Sequence, residues 1–304
     1  MSFVLTSLTI LRGDVPTFDL QSHSVHSDGA LPPQEVVAAA ASAGVTLLAL
    51  SDHDSVDGVS DAATAASELG LALVPSVEIS ALDEAGRDHH ILGYLVDHHD
   101  PVLSRRLESY RHDREHRATR MADALRDLGF ELDEAPLAAR AAEGKSIGRP
   151  HLAKAVVSHP ANARRLEEEG RTDPSAFLEA YLIDGKPAFR PRTIPSVPDS
   201  IAAIHEAGGV AIWAHPFWTV PEPDFVLALI EEFHGQGLDG VECFYVTHTR
   251  EQTDLLADRC EELGLLRTGS SDFHGPGHRE FSKFRAFSTY GREPRLGPIA
   301  AVAA

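Results

Sequence analysis

Two short segments near opposite ends of the chain, His23-Ser24-Val25-His26-Ser27-Asp28-Gly29 and Ser271-Asp272-Phe273-His274-Gly275, carry the residue types that hold divalent cations. A third, Ser51-Asp52-His53-Asp54, has the same character, and each of the three follows an apolar run that reads as a buried strand. Imidazole and carboxylate together suit Zn²⁺, Mn²⁺ or Fe²⁺, and a carboxylate can bridge two ions. Such ligands at successive strand ends are the layout of a hydrolytic metal centre on a parallel barrel or sheet.

Three further positions extend the set. Glu78 is a charged residue inside a mostly apolar stretch, 74–79, where a carboxylate without a metal or another cation would be unstable. His89-His90 offers adjacent imidazoles, and strand alternation lets only one face a barrel interior; His90 is the one expected to coordinate. His215 follows the apolar run 209–214 and is held at the rim by Pro216, which stops the strand. Each residue alone has a duller explanation, because loop His and Asp usually turn or cap the chain, and Asp28-Gly29 is an ordinary turn dipeptide. Ligand types at six separate strand ends are harder to explain that way.

The elements that must position these groups alternate as parallel βα units do. Strands are predicted at 17–20, 45–50, 71–74, 90–96, 210–214, 241–246 and 265–269, with helices at 32–43, 60–69, 198–207, 224–234 and 250–263. The fold class is therefore α/β, with a barrel or sheet built from 16–98 and 194–290. Between these blocks, 99–193 is helical and arginine-rich and reads as an inserted subdomain, its first helix spanning 102–128. Arg114 and Arg117 fall on or beside the inward stripe of that helix, so each needs an anionic partner, either an internal carboxylate or a ligand phosphate. The stretch 291–304 is rich in Pro, Gly and Ala and is expected to be a loosely held tail; the first twelve residues are a strand of their own or an extension.

Composition bounds the function. With 304 residues, 43% of them apolar, the chain can bury a full core. Its 27 basic against 46 acidic residues leave a net charge of −19, which repels duplex nucleic acid and anionic membranes but allows a small anionic substrate in a local basic pocket. Cys243 and Cys260 lack metal-type spacing and read as reduced thiols. Absence of a basic lead-in, of a cleavage motif and of any bilayer-length run makes a cytoplasmic location the expectation. Nothing points to a protein partner.

The residues at 17–29, Ser51-Asp52-His53-Asp54, Glu78, His90-Ile91-Leu92-Gly93, Ala214-His215-Pro216 and 271–275 together resemble the PHP (polymerase and histidinol phosphatase) superfamily of metal-dependent phosphoesterases, in order and over nearly the whole chain. The resemblance implies a distorted (β/α)₇ barrel with two or three divalent ions, Mn²⁺ first, Zn²⁺ or Fe²⁺ as alternatives. It implies that His23, Glu78 and Asp272 serve one ion, Glu78, His90 and His215 a second, and Asp28, His53 and His274 a third. The insertion, with Arg114, Arg117 and Met121 on one helix, then Ile147-Gly148-Arg149-Pro150-His151, resembles the single-chain nucleotide phosphoesterases of that superfamily. In those a helical cap binds phosphate; some remove the 3′-phosphate of nucleoside 3′,5′-bisphosphates, and others trim short oligoribonucleotides from the 5′ end. One position departs from the pattern, which opens with His-x-His: here the first residue is Gln21, a weak neutral ligand, and the first ion is the one it puts in doubt.

The expected reaction is hydrolysis of a nucleotide phosphate ester by a metal-bound hydroxide, with Glu78 bridging two ions. Arg149 and His151, with Arg114 or Arg117, would neutralise the phosphates and steady developing charge. His248 is a further phosphate-site candidate, and Asp52, Asp54 or His248 are candidates to orient ligands or handle a proton. Two alternatives stand beside this reading: a histidinol-phosphatase-like enzyme of a small metabolite, which would use the same metal site, and a non-catalytic nucleotide- or metal-binding protein on the same scaffold.

Overall fold

The computed structural model describes residues 17–143 and 147–303; the expectation for the first twelve residues lies outside these. Seven strands form one sheet in sequence order. Apolar runs give β1 (Phe18–Asp19), β2 (Leu47–Leu50), β3 (Ala72–Leu82), β4 (Asp88–Tyr94), β5 (Val210–Trp213), β6 (Gly240–Tyr245) and β7 (Leu266–Ser270). The sheet curls until its ends nearly close: the Leu20 amide donates to the Gly269 carbonyl at 3.2 Å, and the His23 amide to Phe273 at 2.8 Å. The result is an α/β fold with a nearly closed seven-stranded barrel.

Alanine-rich stretches with Pro at the first turn give α1 (Pro33–Ser42), which buries Val36, Val37 and Ala40; α2 (Val59–Leu69) ends at Gly70, whose φ of 67° is the left-handed cap that glycine supplies without strain. The long α3 (Pro101–Asp127) starts where the Asp100 carboxylate accepts from the Val102 and Leu103 amides, a cap contributing about 1 kcal/mol. It is followed by α4 (Glu134–Ala142), α5 (Arg149–Ser158), α6 (Ala163–Glu169) and α7 (Pro174–Tyr181). These helices pack Met121, Leu125, Phe130, Val156 and Phe177 into an apolar cluster of their own. The alternation then resumes with α8 (Val197–Glu206), α9 (Pro216–Thr219), α10 (Pro223–Gly235) and α11 (Arg250–Leu263).

Two expectations are corrected. The third strand does not stop near Val74: it runs on for eleven residues and pairs antiparallel with β4, which in turn pairs antiparallel with β5, while the other pairs are parallel. The link between β3 and β4, residues 83–87, is too short for a parallel crossover and long enough only for a hairpin. The C-terminal stretch is docked, not loose. Arg295 exchanges both backbone hydrogen bonds with Arg267 at 2.9 and 3.1 Å, and Ile299 is fully buried in the barrel core.

Candidate metal centre

Ligand-type side chains reach one rim by three different routes. The loop after β2 continues alongside β3, with the Asp54 amide donating to the Glu78 carbonyl at 2.8 Å and the Glu78 amide to Asp52 at 3.3 Å, so His53 and Glu78 lie side by side. Glu78 therefore sits mid-strand, not at a strand end. His90 lies near the start of β4, and because β4 runs antiparallel, its start is at the rim where the parallel strands finish. Ser80 stands opposite His90, which puts Glu78 and His90 on one face and His89 on the other. His89 is indeed turned away: its Nε2 lies 3.0 Å from Asp83, and its ring packs on Trp213 and Phe233. The third route is backbone strain. His215 and Asp272 follow β5 and β7 with φ of 31° and 54°, left-handed values that bend their side chains back over the barrel mouth.

Glu78 is the hub. Its Oε1 is 2.6 Å from His90 Nδ1 and 3.1 Å from His215 Nε2; its Oε2 is 3.1 Å from His23 Nε2 and 3.5 Å from His53 Nδ1. His23 Nε2 is also 3.0 Å from Asp272 Oδ1, while Asp28 lies 3.6 Å from both His23 and His53 and 3.4 Å from His274 Nε2. All eight expected ligands thus meet in one cluster. Ligand atoms of His23, Asp28, His53 and His274 lie within 4.8 Å of one another, as do those of His53, Glu78 and His90, and those of His23, Glu78 and Asp272.

The donor set fits divalent cations. Buried His23 Nε2, Asp28 Oδ1, His53 Nδ1 and Asp272 Oδ1 make no hydrogen bond, although each faces a neighbour of the cluster. Burying such atoms unpaired costs about 1–3 kcal/mol each, a cost that a shared cation removes. Burial lowers His53 to about 3 despite Glu78 and Asp28, leaving its ring neutral, the form that ligates metal. Burial would raise Glu78, but His53, His90, His215 and His23 hold it well below the usual carboxylate range. Burial likewise opposes charge on His23, yet Asp272 and Glu78 lift it well above the usual imidazole value; the carboxylates that favour a proton there would favour a cation equally.

Beside this cluster lies a cationic wall. Arg114 donates from Nε and Nη2 to Asp54 Oδ2 at 3.1 and 2.8 Å, and buried Arg192 reaches the same oxygen at 3.0 Å. Arg117 pairs with Asp88 at 2.9 Å, and Arg149, at the first turn of α5, approaches the same carboxylate at 3.6 Å. Of the two partners considered for Arg114 and Arg117, internal carboxylates are what the fold supplies. Burial, reinforced by Arg149 and only partly offset by Asp88, lowers Arg117 to about 10. Gly148 lies beside both Arg114 Nη1 and His151 Nδ1, each 3.7 Å from where a Cβ would stand, an ordinary van der Waals distance. His151 Nδ1 accepts from the Gly148 amide at 3.0 Å, so the ring proton is on Nε2 and can be donated.

His248 does not fit the phosphate role. Its Nδ1 donates to the Cys243 carbonyl at 3.1 Å, its buried Nε2 has no partner, and burial lowers it to about 4. A neutral ring whose only open nitrogen is an acceptor offers a phosphate oxygen nothing.

The PHP domain family matches residues 19–131. A 5′-3′ exoribonuclease of Haemophilus influenzae is 36% identical over 85% of this chain and 90% of its own length. This chain belongs to the PHP-domain family. A 3′,5′-nucleoside bisphosphate phosphatase of Chromobacterium violaceum is 33% identical over 85% of this chain and 87% of its own. A phosphoribosyl 1,2-cyclic phosphate 1,2-diphosphodiesterase of Eggerthella lenta is 31% identical over 92% and 97%. Among solved structures, a sulfate-bound, metal-free amidohydrolase from Chromobacterium violaceum superposes with a TM-score of 0.78 at 30% identity, covering 94% of this chain and 97% of that one. One from Bifidobacterium adolescentis, described as a metal-dependent phosphoesterase, gives 0.76 at 27%, covering 95% and 98%. The PHP-domain protein is an enzyme, a metal-dependent phosphoric ester hydrolase. No helix among its described residues is long and apolar enough to cross a membrane.

Where the PHP-domain pattern has its first histidine, Gln21 turns its amide away from ligation. Its Nε2 donates to Glu78 Oε2 at 3.0 Å, and its Oε1 accepts from Ser270 at 3.3 Å. Ser270 Oγ also lies 2.6 Å from Glu242 Oε1, and Glu242 Oε2 accepts from the His215 amide at 2.9 Å. Burial pushes Glu242 up to about 8. Sequence reasoning missed Glu242, though the signal that found Glu78, a carboxylate inside an apolar strand, applies equally to β6. It also missed Tyr245, whose hydroxyl donates to Asp272 at 2.7 Å, and Arg140, which donates to the Ser27 carbonyl. Arg192 had no signal at all, being an arginine in an irregular segment.

Proposed function

We propose that this enzyme hydrolyses a phosphate ester of a nucleotide, by removing the 3′-phosphate of a nucleoside 3′,5′-bisphosphate or by trimming short oligoribonucleotides from the 5′ end. The observation that carries the reading is the gathering of eight His, Asp and Glu side chains around Glu78, itself one of them, next to a wall where Arg114, Arg117, Arg149 and Arg192 pair with Asp54, Asp88 and Asp113. Relatives named for nucleotide and oligoribonucleotide substrates support it.

In this reading His23, Glu78 and Asp272 would hold one divalent cation, Glu78, His90 and His215 a second, and Asp28, His53 and His274 a third. Mn²⁺ is our first choice, with Zn²⁺ or Fe²⁺ as alternatives. Bound there, such ions supply Lewis-acid charge to phosphate oxygens and acidify a water. Glu78, ionised and shared, fixes the spacing of the cluster. Arg149 and the His151 Nε2–H donate to phosphate oxygens, and Arg117 adds charge through the Asp88 it shares with Arg149. Arg114 and Arg192 hold Asp54 beside His53 and act by positioning.

A Mn²⁺-dependent screen tests this. Nucleoside 3′,5′-bisphosphates, 5′-phosphorylated di- to tetraribonucleotides, phosphoribosyl cyclic phosphate and histidinol phosphate would be compared by kcat/KM. Nucleotides are expected to lead. Histidinol phosphate or the cyclic sugar phosphate leading by tenfold or more would overturn the substrate assignment, and no turnover by metal-loaded protein would favour a binding role.

A further inference from the structure

Trp218 is the one aromatic residue among the described residues that the fold leaves largely in solvent, at 55% exposure. A single exposed apolar side chain needs no explanation by itself. Its position does. Trp218 lies three residues past His215, and its amide donates to the His215 carbonyl at 2.9 Å, which ties the short helix α9 to the metal rim.

The indole continues an aromatic surface that starts at the metal cluster. His274 stands 5.5 Å from the Phe281 ring, Phe281 stacks on His278 at 4.9 Å, and Trp218 meets Phe281 at 5.6 Å. Tyr245, bonded to Asp272, borders Phe281 at 6.0 Å. Two candidate ligands thus connect through Phe281 to an open indole face. An aromatic face beside a phosphate-processing centre is suited to a nucleobase, because every base has a π-face and stacking tolerates base identity.

We propose that Trp218 is the platform on which the substrate's nucleobase stacks, with Phe281 as its inner edge. This rests on the nucleotide reading above and deepens it: the enzyme takes nucleotides with a base in preference to base-free sugar phosphates, and accepts different bases.

The test compares wild type, Trp218→Ala and Trp218→Phe, all Mn²⁺-loaded, on adenosine 3′,5′-bisphosphate and on its base-free analogue, 1-deoxyribose 3,5-bisphosphate. Wild type is expected to prefer the nucleotide. Trp218→Ala should raise KM for the nucleotide about tenfold, with kcat and the base-free substrate little changed, and Trp218→Phe should keep most of the affinity. If wild type does not distinguish the two substrates, the nucleotide reading fails and this proposal with it. If wild type distinguishes them but Trp218→Ala does not alter KM, or slows both substrates alike, only the platform is overturned.

A second readout does not depend on turnover. The chain has two tryptophans, and Trp213 is 1% exposed, so acrylamide-quenchable emission belongs to Trp218. AMP at several times its inhibition constant should shield that emission, and ribose 5-phosphate should not. Equal quenching with and without AMP would overturn the proposal.

Discussion

Glu78 and His215 stand 137 positions apart in the chain and meet at 3.1 Å, with His90 on the same carboxylate oxygen at 2.6 Å. One buried side chain therefore joins the two halves of the barrel and both sides of the ligand cluster. Glu78→Gln preserves its shape and removes its charge. Bound divalent metal is expected to fall by at least one ion per chain, and phosphate release by about a hundredfold or more. Elemental analysis alongside a turnover assay checks this, and unchanged values for both would dismiss Glu78 as the hub.

Gln21 donates to Glu78 where an imidazole would ligate. Gln21→His should tighten divalent binding by roughly 10–100-fold at the His23–Asp272 side, the range typical of changes around a ligand set. Calorimetric titration with Mn²⁺ reads it; a weaker or unchanged isotherm would mean that the neighbouring Ser270 and Glu242 leave an imidazole no room.

Arg192 and Arg149 separate structural from substrate-facing charge. Arg192 and Asp54 are both buried, so Arg192→Ala is expected to cost about 3 kcal/mol in denaturant unfolding. Arg149→Ala, at a more open position, should leave stability within about 0.5 kcal/mol and raise KM instead. The reverse pattern would reassign the two roles.

His248 gives a pH signature. Its folded value, about 4, is depressed below the ordinary imidazole value of 6.5 chiefly by burial. The folded state therefore binds fewer protons than the unfolded state across that window, so this contribution is fully present above pH 6.5 and is lost as pH falls toward 4. The loss amounts to about 3 kcal/mol. His248→Gln should flatten the fall in stability between pH 6.5 and 4.5 relative to wild type; parallel curves would show that His248 does not carry it.

The candidate ligand residues, their order along the chain and most helix boundaries were legible in the sequence because each depends on local features. Apolar runs end where polar rim residues begin, proline and glycine punctuate helices, and Glu78 stands out inside an apolar strand. The β3–β4 hairpin was not, because residues 75–82 contain Pro75 and polar Ser76, Glu78 and Ser80, whose periodicity does not reveal pairing direction. The docking of Ile299 also escaped, since burial there depends on a surface that the barrel creates.

The sequence by itself determined an α/β fold with metal-type side chains at several rim positions, because composition and period are properties of short segments; the barrel followed from the family resemblance. Only the tertiary structure decided how the charges pair. Arg114 and Arg192 reach Asp54 from 60 and 138 positions away, Gln21 turns its amide to Glu78, and His248 is committed to a backbone carbonyl. Each is a choice among several partners of similar chemistry, and it is made by distance and burial, which exist only once the chain has folded.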